Sequence, residues 1–598
     1  MGKEIKTRDQ IDSKYKWKIE EMYADEEQWK VDYKTVEDKA KDFVSYSGRL
    51  GESPQVLLEA LQKKDNIWLI LEKIYVYARM KKDEDNRINK YQAMSDKSGT
   101  LIAKTSSYLS FFTPELLKIP EEKLKGFIEA EPGLKLYEHA INELLREKAH
   151  VLSKDEENLM AQFSEIAGAT NDIFGMLNNA DIKFGTIMDE DGDEVEVTHG
   201  RYIGFMESHS RRVRKDAYEH MYQAYDNLKN TLASTYNYNT KTDVITARIR
   251  KYGSARDAAL SGDNIPASVY DNLIDTVNSR LDLLHRYVEV RKKMLGVDEV
   301  HMYDMYVPLV EMPKAVIPYE KALDMMREGL APLGESYLEK MNHGIEAGWV
   351  DVYENEGKTS GAYSFGSYDS MPYILMNYNG KLKDVFTLVH EMGHSMHSYY
   401  TRQNQPFVYG GHSIFTAEVA STVNESLLMH HLLDTCKDPE EKKYLLNLHI
   451  EEFRTTLFRQ TMFAEFEKLT HEAVEKGEVL TAEWLSEAYD KLNRKYFGDK
   501  VSYDPYIAME WARIPHFYRA FYVYKYATGY SAASAISEKI LKEGAPARDA
   551  YIEFLKTGES NYPIELLKIA GVDMSSPAPI AQAMDAFEKL IVEIEKLV

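Results

Sequence analysis

The sequence predicts a mainly α-helical protein interrupted by two short β segments. Three observations carry the prediction. Apolar side chains recur at helical spacing, helix start signals repeat through the first part of the chain, and strand-like patterns are confined to residues 182–197 and 361–380.

The N-terminal elements come first. Ile67, Ile70, Leu71, Ile74, Tyr75 and Ala78 follow the i, i+3, i+4, i+7 rule with Lys73 and Arg79 between them, which lays one apolar stripe along a helix. Ser53-Pro54 and Thr113-Pro114 each set a capping hydroxyl before a proline suited to a first turn, and Ser153 to Glu156 reads as a capping box. Residues 1–180 are therefore expected to be an N-terminal helical region. From Ile182 to Val197 the pattern becomes strand, turn at Asp191-Gly192, and alternating Val195-Glu196-Val197, a hairpin signal. The acidic run Asp189 to Glu194 does not fit a calcium loop, because a glycine at Gly192 would put Ile187 in the first ligand position. A solvated turn is expected instead. The hairpin opens a middle helical region at 181–360. In the third region, 361–598, Gly361, Gly366, Pro372 and Gly380 punctuate the apolar run Tyr373 to Met376, which suggests a small β element beside the helix that follows. No repeat and no Pro/Gly/Ser-rich linker separates these regions, so one merged body is expected.

Composition narrows the class. The 598 residues are 44% hydrophobic and 29% charged, which excludes a disordered or fibrous chain. With 74 Lys+Arg against 97 Asp+Glu, the net charge of −23 disfavours nucleic-acid partners. The single cysteine, Cys436, can form neither an intramolecular disulfide nor a thiolate zinc cluster, which points to a reducing cytoplasm. Met1 to Lys18 is polar, and no uncharged stretch approaches the ~20 residues of a membrane span, so neither export nor a membrane partner is expected. The oligomeric state is left open.

Chemistry is concentrated in Asp384 to His394, an acid-capped helix carrying His390-Glu391-Met392-Gly393-His394. Histidines four residues apart lie on one helical face and can converge on one cation. Imidazole suits zinc, whose catalytic sites use three protein ligands and one solvent position. Glu391, beside the first ligand, is placed to take a proton from that solvent molecule as it attacks a carbonyl. Random placement of 17 histidines would give this pattern about 0.04 times in such a chain, so it is specific. Glu418, 24 residues after His394, lies in a second helical pattern whose small residues would let it pack closely against the first, and would complete a His, His, Glu ligand set for one zinc ion. Glu425 falls on the same face as Glu418, either as a partner for an imidazole N–H or as an exposed acid. His397 is either a supporting group or a packed histidine.

The string His390 to His397, with Gly411-His412 and the Glu418 segment, resembles the thimet-oligopeptidase family of zinc oligopeptidases, and within it the oligoendopeptidase F branch. The opening helices, the 361–380 stretch and the aromatic C-terminal segment share the resemblance, so it covers most of the chain. It implies a helical body with a deep central channel and zinc on its floor, His390, His394 and Glu418 as ligands, Glu391 as general base, and endo-cleavage of short peptides. It further implies that a histidine and tyrosines within His516 to Tyr530 donate hydrogen bonds to substrate and oxyanion. His516 and Tyr522 are favoured, with Tyr526 and Tyr530 as substitutes, against a packed aromatic stripe containing Phe517, Phe521, Tyr524 and Tyr526. The strand at Tyr373 is open to two readings, an exposed edge that binds extended peptide or a core strand. Two rival functions stand beside this one. A carboxypeptidase or dipeptidyl carboxypeptidase would anchor the substrate carboxylate on a base such as Arg519, and a non-catalytic helical binding protein would carry the motif incidentally.

Overall fold

Local start chemistry holds where the residues announce it. Ser53 Oγ accepts the Val56 N–H at 3.2 Å and opens a 31-residue helix, Pro54–Glu84. Ile67, Leu71, Ile74 and Ala78 are its buried face. At Ser153 the capping box forms, with Ser153 N–H donating to Glu156 at 2.9 Å. At Thr113-Pro114 the helix instead begins two residues before the proline, at Phe112, whose ring is buried, so Thr113 lies inside the first turn and does not cap it. These features belong to a computed structural model that describes residues 5–311 and 316–598. The protein is mainly α-helical, as expected. No helix among the described residues is long and apolar enough to cross a membrane.

Short strands are β1 (Thr186–Met188), β2 (Glu194–Glu196), β3 (Val300–His301), β4 (Val350–Asp351), β5 (Tyr363–Phe365), β6 (Tyr373–Leu375) and β7 (Val501–Ser502). β1 and β2 make the expected hairpin, pairing Ile187 with Val195. Asp189 Oδ1 accepts the Asp191 and Asp193 N–H groups, so that carboxylate closes the turn itself.

Compactness groups the chain into two units, each assembled from three segments. The first comprises Met1–Ala149, Ala315–His431 and Ile536–Gly571. Its N-terminal helices share one core with Tyr373 and Leu375 of β6. β6 is the middle strand of a three-stranded sheet, parallel to β4 and antiparallel to β5. Beneath the sheet, Asp351 Oδ1 pairs with Lys358 at 2.7 Å and Oδ2 with Arg8 at 2.7 Å. Burial by itself would raise the Asp351 pKa, and the two cations reverse that and hold it below its ordinary value. Asp351 is thus paired with a cation on each carboxylate oxygen.

The second unit comprises His150–Lys314, Leu432–Ala535 and Val572–Val598. β3 and β7 pair within it. Its core is aromatic, with Phe466 and Phe517 5.0 Å apart and Tyr236 stacked on Phe466 at 6.2 Å. Glu510, also buried, accepts hydrogen bonds from Arg459 at 2.7 Å and Arg513 at 2.8 Å. Burial alone would raise its carboxyl, but the two arginines hold it down at about 2.

Candidate metal centre and active site

The helix Leu382–Asn404 is anchored at its start by Asp384, whose Oδ2 accepts the N–H groups of Asn379 at 2.8 Å and Lys381 at 3.0 Å. Leu388, Val389, Met392 and Met396 bury one side, which leaves His390 and His394 partly exposed on another. Their rings are 4.8 Å apart.

Glu418 reaches them because two helices almost touch. A Cβ on Gly393 would lie 2.5 Å from the Ser421 Cα and 2.8 Å from the Ala420 oxygen, so only glycine permits the helix Ile414–Thr435 to pack this closely. Asn424 ties the pair by donating to the Val389 carbonyl at 3.3 Å. Glu418 Oε2 then sits 3.4 Å from His390 Nε2 and 3.5 Å from His394 Nε2. One ligand atom from each of the three residues lies within 4.8 Å of the others. Two imidazole nitrogens and a carboxylate oxygen match the three-ligand sets of catalytic zinc sites. The contact of Glu425 Oε2 with His390 Nδ1 at 3.0 Å places Glu425 behind His390, not on the open surface.

Electrostatics agree with a cation site. Burial opposes charge on His390, yet the hydrogen bonds it donates to Glu418 and Glu425 raise its pKa to about 10. Glu418 is held well below its ordinary range by the two histidines. A proton and a metal ion compete for the same imidazole nitrogen. Glu391 is 8% exposed, and burial raises its carboxyl pKa, which favours proton uptake.

His397 is buried, stacks on His412 at 3.7 Å and meets the Phe554 ring at a tilt, 5.4 Å away. Burial keeps both imidazoles uncharged, with His412 lowered to about 3. Spacing singled out His397, but nothing in the sequence indicated its stack on His412. The motif helix also bonds to the sheet through Ser395 Oγ and Ser364 Oγ of β5, 2.8 Å apart.

In the second unit the segment His516 to Tyr530 divides. Phe517, Phe521 and Tyr524 are core residues. His516, Tyr522 and Tyr526 gather outside that core, with ring separations of 6.2 Å, 5.9 Å and 5.4 Å. His516 Nε2 and the Tyr526 hydroxyl are 3.5 Å apart. Tyr530 instead packs edge-on against Phe453 at 4.9 Å. Arg519 lies over the Tyr522 ring at 4.0 Å.

Of the two readings open for Tyr373 to Met376, the structure takes the core strand. β6 is hydrogen-bonded on both sides and fully buried, because a strand entered from both neighbours has no free backbone to offer. The edge of that sheet next to the motif helix is β5.

Family profiles match this chain twice: one described as Peptidase family M3 over residues 204–586, and one described as Oligopeptidase F over 115–184. The chain belongs to peptidase family M3 and is a metalloendopeptidase. Oligopeptidase PepF of Bacillus subtilis is 50% identical over 99% of this chain and 89% of that protein. Group B oligopeptidase PepB of Streptococcus agalactiae is 44% identical over 99% and 98%. Among solved structures, oligoendopeptidase-F from Enterococcus faecium matches with a TM-score of 0.75 at 40% identity, covering 96% of this chain and 99% of that one. A protein from Chlamydophila abortus matches with a TM-score of 0.95 at 35% identity over 100% of each chain. Family membership removes the non-catalytic scaffold as a reading.

Proposed function

We propose that this protein is a cytoplasmic, zinc-dependent oligopeptidase in which His390, His394 and Glu418 hold the metal and Glu391 is the general base. The carrying observation is the convergence of three ligand atoms within 4.8 Å beside a buried carboxyl. Zinc, when bound, supplies a Lewis acid that polarises the scissile carbonyl and lowers the pKa of the attacking water towards ~7. With the metal held there, Glu391 would take the proton from the attacking water and deliver it to the leaving amine. Glu425 fixes the tautomer and direction of His390 through Nδ1. His516 and Tyr522 donate to the substrate and the developing oxyanion, with Tyr526 as the alternate for that role, while Tyr530, packed on Phe453, is not assigned it. The edge strand β5 offers backbone groups to an extended peptide, and such pairing tolerates many side chains.

The test is mass spectrometry of products from a mixed pool of short peptides, some C-terminally amidated, with and without chelator. Internal cleavage that includes the amidated peptides, stops with chelator and returns with zinc is expected, with about one zinc per chain. Cleavage restricted to free C-termini would move the reading to an exopeptidase, and chelator-resistant cleavage would end the metal assignment.

A further inference from the structure

Phe521 sits between two structured pieces, the 3-10 turn Pro515–Tyr518 and the helix Tyr524–Glu543. Its φ is +53°, in the left-handed region that bulky side chains rarely occupy. The chain turns at this residue. Phe517 and Phe521 point into the core, while His516 is exposed and Tyr522 half-buried.

Two contacts hold the turn. The Phe521 ring packs against Tyr270 at 5.5 Å and His471 at 4.5 Å. Its backbone N–H donates to Glu467 Oε1 at 2.9 Å. Glu467, on the helix Arg459–Glu475, is 0% exposed, and its Oε2 has no hydrogen-bond partner among the described residues. The titratable groups around it are Tyr236 and Asp243 from the helix Lys229–Ile249, Tyr270 from the helix Ala267–Asn278, and His471 one turn along its own helix. His471 directs Nδ1 to the Glu467 carbonyl oxygen at 2.8 Å and Nε2 to Asp243 at 3.4 Å. Burying an acid with one oxygen unbonded is costly, and an apolar side chain of similar size would fill the space more cheaply. Such costs are retained where they serve function.

We propose that Glu467 is a positioning residue: its carboxyl clamps the Phe521 N–H, holds the left-handed turn, and thereby sets the direction of His516 and Tyr522. The inference rests on the role proposed above for those two side chains. Burial raises the Glu467 pKa well above the carboxylate range, the Phe521 N–H opposes this and Asp243 adds to it. Below pH ~4.3 the folded and unfolded chains both carry this proton. As pH rises further, the unfolded chain releases it while the folded chain keeps it, so the native state loses stability until the folded carboxyl ionises.

The experiment compares Glu467→Gln and Glu467→Leu by amide exchange over 515–524, denaturant stability from pH 5 to pH 8, metal content, and kcat and KM. Glutamine keeps an uncharged acceptor. Its variant is expected to protect the Phe521 amide, retain kcat within about 3-fold, and gain stability over the parent by a margin that widens with pH. Leucine has no acceptor. Its variant is expected to lose protection at Phe521 and about 100-fold in kcat/KM while binding metal normally. Should leucine prevent folding, Glu467→Met takes its place. Unchanged protection in the leucine variant overturns the clamp. Lost protection with parental kcat overturns the positioning role, and if Tyr522→Phe and His516→Asn are parental as well, the proposed function of the segment is what has failed.

Discussion

The metal centre and the His516 to Tyr530 segment are built on opposite plans. At the centre, two regular helices carry every group, so residue number converts to direction by simple arithmetic: four residues apart means one face. In the second segment a 3-10 turn, a left-handed phenylalanine and a helix start follow each other within fifteen residues, and no single period applies. The clamp that shapes it, Glu467, lies 54 residues earlier in the chain. The difference teaches that chemistry on a regular element can be placed from sequence, whereas chemistry on an irregular one is placed by a distant partner.

The sharpest way to break this comparison is at Glu391. Glu391→Gln is expected to lower kcat by about 10⁴-fold with zinc content unchanged, measured by peptide turnover and metal analysis, because the base is removed and the ligands stay. A fully active variant would sink the general-base assignment. Next in size is Tyr522. Tyr522→Phe is expected to reduce kcat by about 10²–10³-fold, while Tyr530→Phe, whose ring packs on Phe453, stays near the parent. Equal losses would mean that the structure had not separated the two tyrosines. The smallest effect belongs to Glu425. Glu425→Gln is expected to weaken zinc binding by about 10–100-fold, read by competition with a chromophoric chelator, and unchanged affinity would return Glu425 to an ordinary surface acid.

Much of the candidate site was legible. Capping at Ser53 and Ser153, the hairpin at 186–196 and the shared face of His390 and His394 follow from local rules of hydrogen bonding and period, and Glu418 was named as the third ligand by residue type and resemblance. Three features were not. Gly393 reads in sequence as part of a motif, and its purpose, contact with Ser421, exists only once the helices cross. Tyr373 to Leu375 has the pattern of either an edge or a central strand, and only β4, from residues 350–351, decides for the centre. His397 and His412 are fifteen positions apart, one on the motif helix and the other in the loop before the helix Ile414–Thr435, and their stack depends on how the intervening chain returns.

Periodicity, end chemistry and the pairing of His390 with His394 were thus determined by the amino-acid order itself, because each depends on interactions within a few residues or on one helical face. Tertiary structure decided the close approach at Gly393, the seating of Glu425 behind His390, the division of the tyrosines and the buried acid at Glu467. Those depend on which distant segments share a volume, and close packing, being a property of that shared volume, is encoded by no single stretch of chain.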